Sequence, residues 1–197
     1  GVGNVENGGW IAPLFYDPID QMKIYSLGDK VTVSEDFGST WNDLGTPFGL
    51  TESVNYATIA ENNSDNIVAT RGNQIKLSVD GGITFTSIES NLPNNYITDV
   101  AFDPNNDDII IVTYGSYNGN NNKVYVTYDQ GNTWQNITYN LGYLPVRSVV
   151  IDHSENSTIY IGTEIGVYKK SMSANSWELY SQGLPNMSIL ELDIVYG

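Results

Sequence analysis

Short apolar runs of four to seven residues, broken every few positions by Gly, Pro, Asn or Asp, set the rhythm of this chain. Residues 10–16 (WIAPLFY) read as an apolar strand that stops at Asp17-Pro18, a turn opener. Residues 22–27 alternate, Gly28-Asp29 turn the chain, 30–33 form a third strand and 41–44 a fourth. The layout then returns three times. It recurs as 54–60, the turn 61–65, 66–70, a turn at Arg71-Gly72, 74–77 and 85–88, and again as 97–102, 103–107, 109–113, the long loop 115–122, 123–126 and 134–137. The last round is 146–151, 152–157, 158–161, a turn near 162–166, 167–170 and 177–180. Each round packs four strands into about 35–45 residues and leaves no room for a helix, so the chain is predicted to be all-β.

Each predicted third strand runs into the same eight-residue pattern: SEDFGSTW at 34–41, SVDGGITF at 78–85 and TYDQGNTW at 127–134. A worn fourth copy, KSMSANSW at 170–177, keeps only the closing aromatic and the small hydroxyl before it. The final aromatics stand 44, 49 and 43 residues apart, a period that marks a repeat architecture. Four-stranded units of this length in tandem predict the blades of a β-propeller, with boundaries near 9–46, 53–90, 96–140 and 146–182. The first strand of each blade is the most continuously apolar, as expected where both faces are covered. Residues 188–196 read as one further first strand. The prediction is therefore four blades plus one extra strand, part of a larger propeller of about seven or eight blades.

Within the pattern, Asp36, Asp80 and Asp129 are placed to accept backbone amides of the turn, while Gly38, Gly82 and Gly131 permit positive φ. Ser34, Ser78 and Thr127 open the turn, and Trp41, Phe85, Trp134 and Trp177 begin the fourth strand, able to pack beneath it. Three near-identical carboxylates, with one copy lost and not replaced, read as hairpin clasps and not as a catalytic set.

The pattern Ser/Thr-x-Asp-x-Gly-x-Thr-Trp/Phe resembles the Asp-box, or BNR repeat, of sialidases, xyloglucanase-type glycoside hydrolases and the sortilin ectodomain. Its phrasing, with TEIGVY at 163–168 and GLPN at 183–186, is similar to propellers of large exported Bacteroidetes proteins, often delivered by type IX secretion. The resemblance implies a propeller, and it spans enzymes and receptors alike. In sialidases it implies three arginines on a substrate carboxylate, and this chain offers only Arg71 and Arg147. In the xyloglucanase type it implies two carboxylates across a cleft, but no motif among the acidic residues here selects a pair.

Charge and composition narrow the field further. Eight Lys/Arg against 23 Asp/Glu give a net charge of −15, which disfavours nucleic acid and anionic lipid as partners. Cysteine is absent, so disulfides, thiolate catalysis and Cys-ligated zinc are excluded. No apolar run reaches the roughly 20 residues of a membrane helix. The first nine residues lack a basic region followed by an apolar stretch, so a signal peptide is absent or already removed. Such a cysteine-free, Asn- and Tyr-rich chain suits a secreted or bacterial cell-surface setting. Asn-x-Ser/Thr triplets at Asn62, Asn136, Asn156 and Asn186 are read as incidental to an Asn-rich chain.

Asp17, Glu61, Asp103 and Asp152 recur in phase after each first strand and read as turn residues, and His153 stands alone in such a turn. DPNNDD at 103–108 approaches a calcium loop, but its sixth position is not Gly and its twelfth, Tyr114, is not Glu. No cofactor is expected. Ligand contact is expected at the rim opposite the Asp-boxes, from Arg71, Tyr96, Tyr117, Tyr139, Tyr143 and Glu164, because tyrosine with asparagine suits sugar or protein surfaces. The function expected is a non-catalytic scaffold with a protein- or glycan-binding surface, partnered by the remaining blades; the alternative is a glycoside hydrolase whose acidic pair is shared with other blades.

Overall fold

The computed structural model describes residues 14–49, 54–117, 121–154, 157–180, 183 and 185–195. Among the described residues sixteen strands form four separate antiparallel sheets, each in simple meander order. Blade one holds β1 (Leu14–Tyr16), β2 (Ile24–Leu27), β3 (Val31–Ser34) and β4 (Asn42–Asp43). Blade two holds β5 (Tyr56–Ala60), β6 (Asn63–Arg71), β7 (Gln74–Ser78) and β8 (Thr86–Ser87). Blade three holds β9 (Ile97–Asp103), β10 (Asn106–Tyr114), β11 (Val124–Thr127) and β12 (Gln135–Asn136). Blade four holds β13 (Val146–Ile151), β14 (Thr158–Thr163), β15 (Gly166–Ser171) and β16 (Glu178–Leu179). One 3-10 turn, Tyr139–Leu141, lies between blades three and four. No helix among the described residues is long and apolar enough to cross a membrane. The architecture is a partial β-propeller of four blades.

The alternation along each strand builds the core. Blades one and two belong to one compact unit, residues 1–89, and blades three and four to a second, residues 90–197. In the first unit, Tyr25, Leu27, Val31 and Val33 of blade one pack against Ile59, Ile67 and Ala69 of blade two. In the second, Ile111, Val124, Val126 and Ile137 of blade three meet Val149, Ile151, Ile159, Ile161 and Trp177 of blade four. These apolar faces are buried, and each buried aliphatic side chain contributes about 1.5–3 kcal/mol by leaving water.

Several details depart from the sequence pattern. The longest fully buried runs lie in the second strands, 66–70 and 110–114, and not in the first strands. A second strand is flanked by hydrogen-bonded neighbours on both edges and covered on both faces, whereas a first strand keeps one open edge. The turns expected over 61–65 and 103–107 are tighter, because β6 and β10 begin at Asn63 and Asn106 and absorb the extra residues as register shifts. Fourth strands are two residues long, extended by single bonds such as Ile137 N–H to the Val124 carbonyl (2.9 Å).

Of the first predicted strand, residues 10–13 lie outside the described residues, as do residues 118–120 of the long loop, Asn156 and Tyr196. Residues 188–195 are not paired as a strand. A first strand acquires its ladder only from a second strand beside it, and the described residues supply none here. Instead this segment rests on blade four, where Ile189 donates its amide to the Thr163 carbonyl (2.9 Å). Gly162 makes that approach possible: a Cβ there would stand 2.3 Å from Ser148 Oγ and 2.7 Å from the Ile189 carbonyl oxygen.

Candidate functional site

Three of the four eight-residue turns share one geometry. In the first, the Ser34 hydroxyl donates to Asp36 (2.9 Å) and accepts the Gly38 amide (2.7 Å), while Asp36 accepts the Thr40 amide and the Thr40 hydroxyl (both 2.7 Å). Ser78, Asp80, Gly82 and Thr84 repeat this at 2.6–2.9 Å, and Thr127, Asp129, Gly131 and Thr133 at 2.7–2.8 Å. The fourth and fifth positions are left-handed in all three, with φ of 58° and 88° at Phe37-Gly38, 69° and 91° at Gly81-Gly82, and 54° and 86° at Gln130-Gly131. Only glycine takes such a φ without strain at the crowded fifth position. The Thr40 and Thr133 amides, and the Thr84 hydroxyl, hold the three carboxyls below their ordinary range. Every aspartate oxygen is spent on its own turn.

Three of the four phase-recurring acids, Asp17, Asp103 and Asp152, bond to the backbone of their turns. Asp17 accepts the amides of Ile19 (2.8 Å) and Asp20 (3.0 Å), and Asp103 that of Asn105 (2.8 Å). Asp152 accepts the amides of Ser154 (3.1 Å) and Thr158 (2.8 Å), and with the Ser154 hydroxyl these outweigh its burial and keep its carboxyl low. Among the described residues no group of three or more His, Asp or Glu is placed to hold a metal ion.

At the other end of the second unit, topology brings together residues that the sequence separates. The Arg147 Nε and Nη2 atoms stand 2.7 and 2.6 Å from one Glu164 oxygen, and its guanidinium lies 5.7 Å over the Tyr117 ring. Arg147 above all holds the Glu164 carboxyl below its ordinary value, and the nearby hydroxyls of Tyr117 and Ser188 act in the same direction. Arg147 comes from the first strand of blade four, Glu164 from its β14–β15 turn, and Tyr117 from the β10–β11 loop within blade three. Tyr117 and Tyr143 are largely exposed, Tyr96 half so. Arg71 lies at the end of β6 in the other unit, opposite Gln74 in the ladder. Tyr139 departs from the expected rim: it is half-buried in the core between blades three and four, 5.9 Å from the Lys170 ammonium.

Asp99 was not legible as special. It sits on the open edge of β9 and accepts the amides of Val149 (2.9 Å) on the neighbouring blade and of Val100 (2.8 Å). Burial pushes its carboxyl up to about 6 against those two bonds, and the charge of Glu191 adds to the rise. A cavity of about 440 Å³ lies on the far face of blade four, lined by Val150, Tyr160, Val167 and Tyr180 and by residues 192–195. In register, these positions match Ala101, Ile111, Val124 and Ile137, which blade three buries beneath blade four.

A family model described as "Sortilin, neurotensin receptor 3" matches residues 29–181, more than half of the chain. The chain belongs to the Sortilin-Vps10 family. No curated protein matches it. Among solved structures, the Sortilin-Vps10 chain is similar to the GH74 enzyme of Niastella koreensis, at 22% identity and TM-score 0.67, covering 84% of this chain and 29% of that one. It is similar to the GH74 xyloglucanase of Xanthomonas campestris at 16% identity and TM-score 0.66, over 85% and 30% of the two chains. YCF48 bound to D1 peptide matches at 17% identity and TM-score 0.55, over 84% and 52%. Identities this low speak for the propeller fold alone. The Sortilin-Vps10 chain thus spans under a third of the length of these glycosidases.

Proposed function

We propose that this chain is a non-catalytic segment of a larger propeller, set in a secreted or cell-surface bacterial protein, that presents a protein- or glycan-binding surface. The observation that carries this reading is the rim cluster of Tyr117, Arg147, Glu164 and Ser188. Its charges neutralise each other, leaving an exposed aromatic face beside polar groups, a combination that covers apolar area while satisfying hydrogen bonds. The peptide in the YCF48 structure supports the idea that a propeller of this kind can seat a polypeptide. The cavity on blade four supports the partial-propeller reading, since its lining matches a face that blade three keeps covered. Further blades of the same propeller are the proposed cover.

Asp99 favours a second reading, a glycoside hydrolase. A carboxyl raised to about 6 with Glu191 close enough to influence it has the chemistry of a general acid beside a second carboxylate. The first reading is preferred because both Asp99 oxygens are already taken by backbone amides. Array screening of the full-length protein against peptides and glycans is expected to give hits that Tyr117→Ala abolishes, without turnover of β-glucans or sialosides. Turnover lost in Asp99→Asn would replace the first reading with the second.

A further inference from the structure

The fourth clasp has lost its chemistry, yet the strand that it should hold is in place. Lys170, Met172 and Ala174 occupy the hydroxyl, aspartate and glycine positions. Neither Ser173 nor Ala174 takes the left-handed conformation found at the matching positions of the other three turns. The Lys170 side chain fills the turn instead: only 4% exposed, its ammonium donates to the carbonyls of Ser171 (2.9 Å) and Met172 (3.1 Å) and lies 5.6 Å over Trp177 and 5.9 Å over Tyr139. Burial pulls its pKa down to about 8. Among the described residues no carboxylate pairs with this charge, so its burial carries a cost, and the turn keeps only the ammonium's carbonyl bonds and the Ala174 amide to the Ser171 carbonyl (3.0 Å) in place of the Asp-centred network.

What holds Trp177 comes from the neighbouring blade. The Asn140 side-chain amide mimics a strand edge: its carbonyl oxygen accepts the Trp177 amide (2.7 Å) and its NH2 donates to the Trp177 carbonyl (3.0 Å). The Trp177 indole donates to the Ile137 carbonyl (2.8 Å), and the ring is 3% exposed within the core shared by the two blades. Asn140 is itself on the surface, in the 3-10 turn that leaves blade three.

We propose that the fourth strand of blade four is held from blade three, by Asn140 and Ile137, in place of a clasp of its own, and that residues 171–176 are the segment that opens first. Opening there uncovers the Lys170 amine while Trp177 and β16 stay anchored. The device is a loosened outer turn on a strand pinned from the side.

Hydrogen exchange on the whole chain near neutral pH tests this. Amides of 171–176 are expected to exchange at least about tenfold faster than those of Gly131 and Thr133 in the third clasp. Asn140→Ala should raise exchange across 177–180 by about tenfold and leave Gly131 and Thr133 unchanged. The triple change Lys170→Thr, Met172→Asp and Ala174→Gly rebuilds the clasp, and should slow 171–176 to the rate of the third turn. Equal rates in the third and fourth turns of the unaltered protein would overturn the proposal. So would unchanged protection of 177–180 in Asn140→Ala, or a triple variant that exchanges no more slowly.

Discussion

Thr127 has no exposed surface, and its hydroxyl accepts the Gly131 amide while donating to Asp129. Thr127→Val keeps the shape and strands both partners, so it should cost about 1–2 kcal/mol in urea unfolding. Gly131→Ala forces a Cβ onto a φ of 86° and should cost about 1–2 kcal/mol in the same assay. Acid titration separates two kinds of carboxyl. Asp99, raised in the folded state, binds its proton more tightly there than in the unfolded chain. Its contribution therefore increases as pH falls from about 7 through 6 and is complete below about 4. Asp36, Asp80 and Asp129 have the opposite sign: their contribution is present above the unfolded value near 3.8 and is lost as pH falls through their lowered folded values. Denaturation midpoints should thus climb between pH 7 and about 5 and collapse below about 4, with the climb flattened in Asp99→Asn.

At the scale of elements, the strand layout was legible because turn residues punctuate it so regularly, and the eight-residue turns were legible down to the accepting carboxylates. Their hydroxyl, Asp, Gly and Thr lie within seven residues of one another, so local sequence contains the whole side-chain network. The pairing of Arg147 with Glu164 and Tyr117, and the staple from Asp99 to Val149, span 17 to 50 residues and arise only once blades stack. The same limit explains the final segment: residues 188–195 carry a strand pattern, but a ladder needs a partner. Gly162 gives that segment its seat on blade four, and Gly162→Ala should unseat it, seen as faster limited proteolysis after residue 187 with the blade-three core still folded.

For the molecule as a whole, a net charge of −15 over 197 residues means that compaction works against self-repulsion. Raising salt from about 0.02 to 0.5 M shortens the Debye length to a few ångströms and should lift the thermal midpoint by a few degrees. The few basic side chains are placed locally, as with Lys23 near Asp17 and Lys30 on Asp43, and they leave the overall excess in place. What marks the outer face of blade four is its register match with the face that blade three buries.

A turn whose side-chain bonds all fall within eight residues is portable. Copied along with its strands, it carries its own side-chain network to any position of a tandem array, and its contact with the blade next door is through backbone, as where the Gly45 amide donates to the Gly82 carbonyl (2.8 Å). That autonomy lets a gene lengthen by whole blades without redesigning junctions. The fourth turn lacks that network, and its closing Trp177 is held by Asn140 and Ile137 of the neighbouring blade; blade four is therefore tied to its place beside blade three and would lose that hold anywhere else in the array.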